Sequence, residues 1–176
     1  MTDSSAGAQA RYLADVEEIK RLKSRYFRYM DTKQWDKFRA LFCDDAVVDT
    51  SEATTDPHGY WDGGVLPPVT PDVMTSALRE RMEGVFTMHH GHNPDIEIHS
   101  DVAASGVWAM EDIIRRPAGS ELPSFRGWGH YTEEYRKEDG QWRFAKVKVT
   151  RLHVTPIDHF PARADGVRAG IPSGIA

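Results

Sequence analysis

Apolar residues recur at spacings of three and four between residues 8 and 31. Val16, Ile19, Leu22, Tyr26 and Met30 form the stripe, while Glu17, Glu18, Arg21, Arg25 and Arg28 fall off it. That period predicts an amphipathic α-helix. A shorter helix is expected in "KQWDKFRALF", where Trp35, Phe38, Leu41 and Phe42 are apolar, and "DDAVVDTS" has the composition of a strand. Residues 51–69 are rich in Gly, Pro and Asp and read as a loop. That loop holds Tyr60 and Trp61, and loops often carry function. Thr70-Pro71-Asp72 combines an N-cap residue, a proline at the first helical position and an acid in the first turn. A third helix is therefore expected to run to about Glu83.

From Phe86 the pattern is that of strands. "FTMHHGH" is expected to break at Asn93-Pro94, "DIEIHS" to end near Asp101, and "GVWAMEDIIRRP" to follow. The stretch from "SFRGWGHY" to "TRLHV" reads as a long hairpin turning at Asp139-Gly140, a two-residue turn signal. The tail after Pro156 reads as irregular. Residues 1–156 are thus expected to form one domain and 157–176 an extension. Helices first and strands after give an α+β chain. About three helices against one strongly curved antiparallel or mixed sheet make a cone with a hollow inside.

Composition narrows the classes. A chain of 176 residues fits one domain and can bury roughly two-thirds of its unfolded surface without covalent staples. The single cysteine, Cys43, allows no intramolecular disulfide and suits a reducing compartment. Net charge is −5 with both signs interleaved. No basic stripe follows a phosphate backbone, which argues against nucleic acid. The N-terminal "MTDSSAGAQA" lacks the basic and apolar regions of a signal peptide. No apolar run approaches the ~20 residues of a membrane span. These features predict a soluble, cytoplasmic protein with no membrane partner.

Three histidines fall within four positions: His89, His90 and His92. On one strand His89 points away from the other two. All three could hold one ion only across a bulge, and no Glu or Cys lies at a ligand-like spacing, so no metal is expected. Asp31 ends the long helix, where the macrodipole disfavours an anion. It could cap the next helix, since Asp31-x-x-Gln34 has the form of a capping box. It could equally face the hollow and orient a histidine, fixing the tautomer of a general base. The two roles are compatible. In "GVWAMEDII", Trp108, Met110, Asp112 and Ile114 share a face. That places the Asp112 carboxylate on an apolar wall, where it needs a cation. Arg151, which shares a face with Val147 and Val149, is one candidate. Phe125, Gly127, Gly129 and Tyr131 form another face, whose glycines permit sharp bending or leave space for a ligand. Tyr26 lies on the helical stripe five residues before Asp31.

"LKSRYFRYMDTKQWDKFRALFCDDAVVD", "TMHHGHN" and "GHYTEEYRKEDGQWRFAKVKVTRLHVT" together resemble the SnoaL-like branch of the nuclear transport factor 2-like superfamily. The resemblance covers roughly residues 10–156. Within that branch the pattern is similar to scytalone dehydratase, bile acid dehydratase and hexachlorocyclohexane dehydrochlorinase. These share an Asp after the first helix and a His on the strand after the third, positions matched here by Asp31 and His89. The bile acid dehydratase pattern adds a Tyr, an Asp and an Arg, matched by Tyr26, Asp112 and, approximately, Arg151. Departures from scytalone dehydratase are Ile114 for a second histidine, Met30 and Thr50 for two tyrosines, and Tyr131 for an asparagine. Scytalone is therefore not the expected substrate.

The resemblance implies a cofactor-free, dehydratase-like lyase or isomerase acting on a hydrophobic cyclic or polyketide-like molecule. His89 would be the base and Asp31 its orienting partner. Asp112, if protonated, would assist the leaving group. Tyr26, Tyr131 or Arg151 would stabilise an enolate, and Trp108, Met110, Tyr60 and Trp61 would form an apolar wall. Two other classes fit the same residues. One is a non-catalytic small-molecule-binding domain. The other is a hydrolase or monooxygenase using Asp112 and Arg151. The resemblance also implies a homo-oligomer, a trimer ahead of a dimer.

Overall fold

The computed structural model of the chain describes residues 3–53 and 67–158. Tyr60 and Trp61, and the extension beyond residue 158, lie outside the described residues. Helix α1 spans Asp3–Asp31, starting earlier than its apolar stripe requires. Ile19, Leu22, Tyr26 and Met30 are buried, as the period predicts. The helix closes with Lys33 in the left-handed region at φ 60°. There the Gln34 N–H reaches the Tyr29 carbonyl at 2.8 Å. This is the position that glycine usually fills, so Lys33 holds it at a steric cost of about 1–2 kcal/mol.

Helix α2 is short, Trp35–Arg39, and its Gln34 cap makes no side-chain hydrogen bond. Strand β1 runs Phe42–Glu52. Helix α3 spans Pro71–Arg81 and is capped as expected, with the Thr70 hydroxyl accepting from the Val73 N–H. The other strands are β2 (Phe86–Ser100), β3 (Ala103–Arg115), β4 (Ser124–Glu138) and β5 (Gln141–Ile157). They form one mixed five-stranded sheet in the order β1-β5-β4-β3-β2. β1 and β5 are parallel, and the other neighbours are antiparallel.

The expected break at Asn93-Pro94 is a bulge inside one continuous β2. The register shifts between His92 and Asp95, and Asn93 takes φ 43°. A bulge lets a strand pass a residue that has no N–H to give the ladder. The β4–β5 turn has Asp139 at φ 50° and Gly140 at φ 76°, the two left-handed residues of a primed hairpin turn.

Burial alternates along β3 and β4, so each strand turns one face inward. The inward residues Trp108, Met110, Tyr131 and Tyr135 join Phe144 of β5 and the α1 stripe in one core. Each such side chain removed from water contributes about 1.5–3 kcal/mol. The sheet is open, curved and covered by helices on its inner face: the α+β cone. Among the described residues no helix is long and apolar enough to cross a membrane.

Candidate active site

The C-terminal end of α1 and the inner face of β2 meet at Asp31 and His89. His89 Nδ1 lies 2.6 Å from Asp31 Oδ1, and the His89 backbone N–H donates to Asp31 Oδ2 at 3.0 Å. The Thr87 hydroxyl, on the same strand face, donates to Asp31 Oδ1 at 2.9 Å. Lys33 Nζ in turn donates to Thr87 Oγ1 at 2.7 Å. A carboxylate that accepts three hydrogen bonds requires the Nδ1–H tautomer of His89, which leaves Nε2 as the ring's proton acceptor. Side-chain exposure is 9% for His89 and 16% for Asp31, so the pair is shielded from bulk water. The Phe27 ring lies parallel to the imidazole, with centroids 6.4 Å apart. Burial pushes the Lys33 amine down to about 8, against the opposing charge of Asp31.

His89 opens onto a cavity of about 360 Å³ between α3, the end of α1 and the sheet. Its walls are mainly apolar, including Met30, Val69, Met74, Leu78 and Val149. Such a volume falls in the range of small-molecule sites. Tyr26 and Tyr131 also line it. Burial first, and then the nearby Glu133 charge, pushes the Tyr26 phenol well above its ordinary value, while the Tyr131 hydroxyl works the other way. Burial does the same to Tyr131, with Tyr26 and Asp112 adding to it. Both therefore remain O–H groups. The Tyr131 hydroxyl is directed to the Tyr26 oxygen, which leaves the Tyr26 O–H able to donate to a ligand oxygen.

Asp112 and Arg151 form a separate buried pair. Arg151 Nη1 donates to Asp112 Oδ1 at 2.8 Å and Nη2 to Oδ2 at 2.6 Å, with only 8% and 4% of the two side chains exposed. Arg151 Nε also donates to the Ala53 carbonyl at 3.0 Å. Burial opposes the guanidinium charge, but the hydrogen bonds and charge of Asp112 outweigh it and lift Arg151 above its ordinary value. Gly127 makes room for the pair: a Cβ there would stand 2.0 Å from Arg151 Nη1. At Gly129 a Cβ would meet the Thr150 carbonyl oxygen at the β4–β5 register shift. The two glycines thus serve the ion pair and the bend.

The SnoaL-like domain model matches residues 11–148. The chain belongs to the SnoaL-like domain family. The match spans both halves of the Asp31–His89 pair. Solved structures are similar in fold. A candidate scytalone dehydratase from Novosphingobium aromaticivorans DSM 12444 is 23% identical, with a TM-score of 0.69, covering 91% of this chain and 99% of that one. A type 2 hexachlorocyclohexane dehydrochlorinase is 20% identical, with a TM-score of 0.70 and coverage of 89% and 99%. The type 3 enzyme from Novosphingobium barchaimii LL02 is 21% identical, with a TM-score of 0.67 and coverage of 88% and 99%.

In this SnoaL-like domain Asp31, His89, Tyr26 and Tyr131 converge on the cavity region, but three expectations change. Asp112 has both oxygens engaged by Arg151, which leaves neither turned to a leaving group, and neither residue of that pair lines the cavity. Trp108 and Met110 point inward but sit in the packed core, 5% and 2% exposed, rather than on the cavity wall. Asp31 does not cap α2, because its carboxylate is spent on β2. His90 and His92 stack on each other, 5.9 Å apart, on the opposite face from His89. Among the described residues a cluster with metal-like proximity is Cys43, Asp45 and Glu138. Arg136 already pairs with both of its carboxylates. Burial and Glu138 push the Cys43 thiol up to about 11. The trio is thus engaged as an ion-pair cluster.

A buried network was missed in the sequence. Lys23 is fully buried, donates to Glu133 and lies 3.3 Å from the Tyr131 ring centre. Burial pushes its amine down to about 8, against the charge of Glu133. The Tyr135 hydroxyl donates to Glu133, and Trp108 Nε1 donates to Tyr135 at 2.9 Å. The signals existed. Lys23 follows Ile19 by four on the helical stripe. Glu133 and Tyr135 continue the alternation that includes Gly127, Gly129 and Tyr131.

Proposed function

We propose that this SnoaL-like domain is a cofactor-free lyase or isomerase whose general base is His89. The 2.6 Å contact between His89 and Asp31 at the edge of an apolar cavity carries this reading. His89 Nε2 takes a proton from a carbon next to a carbonyl, or vinylogous to one. The electrons of that C–H bond pass into an enolate, and the Tyr26 hydroxyl, itself accepting from Tyr131, donates to its oxygen. Asp31 holds the imidazolium by charge and by its fixed hydrogen bond. In elimination the enolate collapses, the bond to the leaving group breaks with its electron pair, and the imidazolium returns its proton to that group. In isomerisation the proton returns to another carbon. The apolar wall excludes water, so the enolate is not quenched early.

The dehydratase and dehydrochlorinase names of the similar structures support an elimination. The substrate class is a small hydrophobic or aromatic ring compound. The locked Asp112–Arg151 pair gives the hydrolase or monooxygenase reading no free water-positioning set. Self-association as a trimer, or else a dimer, belongs to the same proposal, since Met88 and Val107 stand exposed on the outer strand faces. Incubation with a panel of cyclic β-hydroxy and β-halo ketones, read by appearance of the enone, tests the function. Turnover by the wild type and its loss in folded His89→Ala are expected. Binding without turnover across the panel would favour the binding-domain reading.

A further inference from the structure

Arg81 is the last residue of α3, and it lines the same cavity as His89. Val73, Ala77 and Arg81 are spaced by four and form one row along the cavity wall. The row is roughly 12 Å long at 1.5 Å per residue, with alanine leaving width at its middle. Arg81 is the one Lys, Arg, Asp or Glu among the described lining residues.

Its neighbours among the arginines are satisfied differently. Arg79 donates to Asp36 at 2.7 Å, and Arg39 donates to Asp72 at 2.7 Å. Among the described residues no carboxylate pairs with Arg81. A cation in the last turn does favour the helix dipole. That gain is available to Arg79 on another side of the helix and does not account for a guanidinium on a cavity wall. Arg81 is exposed and so stands at the mouth of the cavity. A cation there, with low-dielectric walls on one side, attracts an anion more strongly than one wholly surrounded by water. Guanidinium geometry suits a planar carboxylate, which it can grip with two parallel hydrogen bonds. The chain's net charge of −5 would otherwise repel such a ligand.

We infer that the ligand of this cavity is an apolar acid: a small cyclic or aromatic molecule bearing one carboxylate, anchored by Arg81. Its ring lies along Val73, Ala77 and Met74, and its other end faces His89. The inference rests on the His89 reading only for which end reacts. The anchoring can be tested without turnover.

Isothermal titration of the full chain with 2-naphthylacetate and with its neutral methyl ester provides the test. Wild type is expected to bind the acid roughly tenfold or more tightly than the ester, as a hydrogen-bonded charge pair predicts. In Arg81→Gln that preference should fall to about threefold or less, and in Arg79→Gln it should persist. It should also persist in His89→Ala, which separates failure of the anchor from failure of the base. Equal binding of acid and ester by wild type would overturn the inference. So would a preference that survives Arg81→Gln, or no binding of either compound at millimolar concentration.

Discussion

His89 is attached to Asp31 twice: its ring Nδ1 meets Oδ1 at 2.6 Å and its own backbone N–H meets Oδ2 at 3.0 Å. One carboxylate therefore fixes both the strand position and the ring orientation of the proposed base. Replacing Asp31 by Asn keeps the shape but puts an N–H where an acceptor is required. Asp31→Asn should retain the native circular dichroism and lose turnover by about 10²–10⁴-fold. Steady-state kinetics on any active substrate from the ketone panel would check this.

Thr87 is 4% exposed and joins Lys33 to Asp31. Thr87→Val keeps the volume but removes the hydroxyl that both accepts and donates. The variant should be less stable by about 1–3 kcal/mol, the cost of leaving buried polar groups without a partner. Urea unfolding measures the difference.

Lys33 gives a pH signature of defined sign. Its folded amine titrates near 8, against an ordinary 10.5. Between those values the unfolded chain holds a proton that the folded chain has released, so stability rises with pH across that window. Below about 8 the burial penalty is fully present. Lys23 has the same sign and window, so the readout is the difference between wild type and Lys33→Met. Urea midpoints followed from about pH 7 to pH 10.5 should rise less steeply in the variant. Identical slopes would remove Lys33 from the account.

Gly127 is the position where backbone economy serves an ion pair. A Cβ there would meet Arg151 Nη1 at 2.0 Å and Asp112 Oδ1 at 2.6 Å. Gly127→Ala should split the pair and destabilise the fold by about 3–5 kcal/mol. Thermal or urea unfolding would show it, and a near-neutral effect would mean the strand can shift to absorb the methyl group.

Much of the fold was legible because period-3.6 and period-2 patterns are direct consequences of which face meets the core. The α1 stripe, the Thr70 cap and the Asp139-Gly140 turn needed no tertiary information. The alternation around His89 separated it from His90 and His92. Where reading failed, packing in three dimensions decided. A bulge carries Asn93-Pro94 through β2 because neighbouring pairs hold the strand on either side. Trp108 and Met110 face inward, but whether an inward face is wall or filled core depends on what packs opposite. Lys23 and Glu133 were missed because each looks like a surface charge until the other is known to stand beside it. Arg151 was expected as a cation for Asp112, but that it engages both oxygens and holds the pair off the cavity wall depends on three-dimensional geometry.

The central claim is that His89 removes a proton from a carbon acid held in the cavity. Solvent deuterium exchange tests this without needing the natural leaving group. Cyclic ketones and keto acids incubated with the protein in D₂O should gain deuterium at the carbon next to the carbonyl. The rate with wild type should exceed that with His89→Ala by about 10²-fold or more. Exchange that is absent with wild type across the panel, or equal in the two proteins, would contradict the claim.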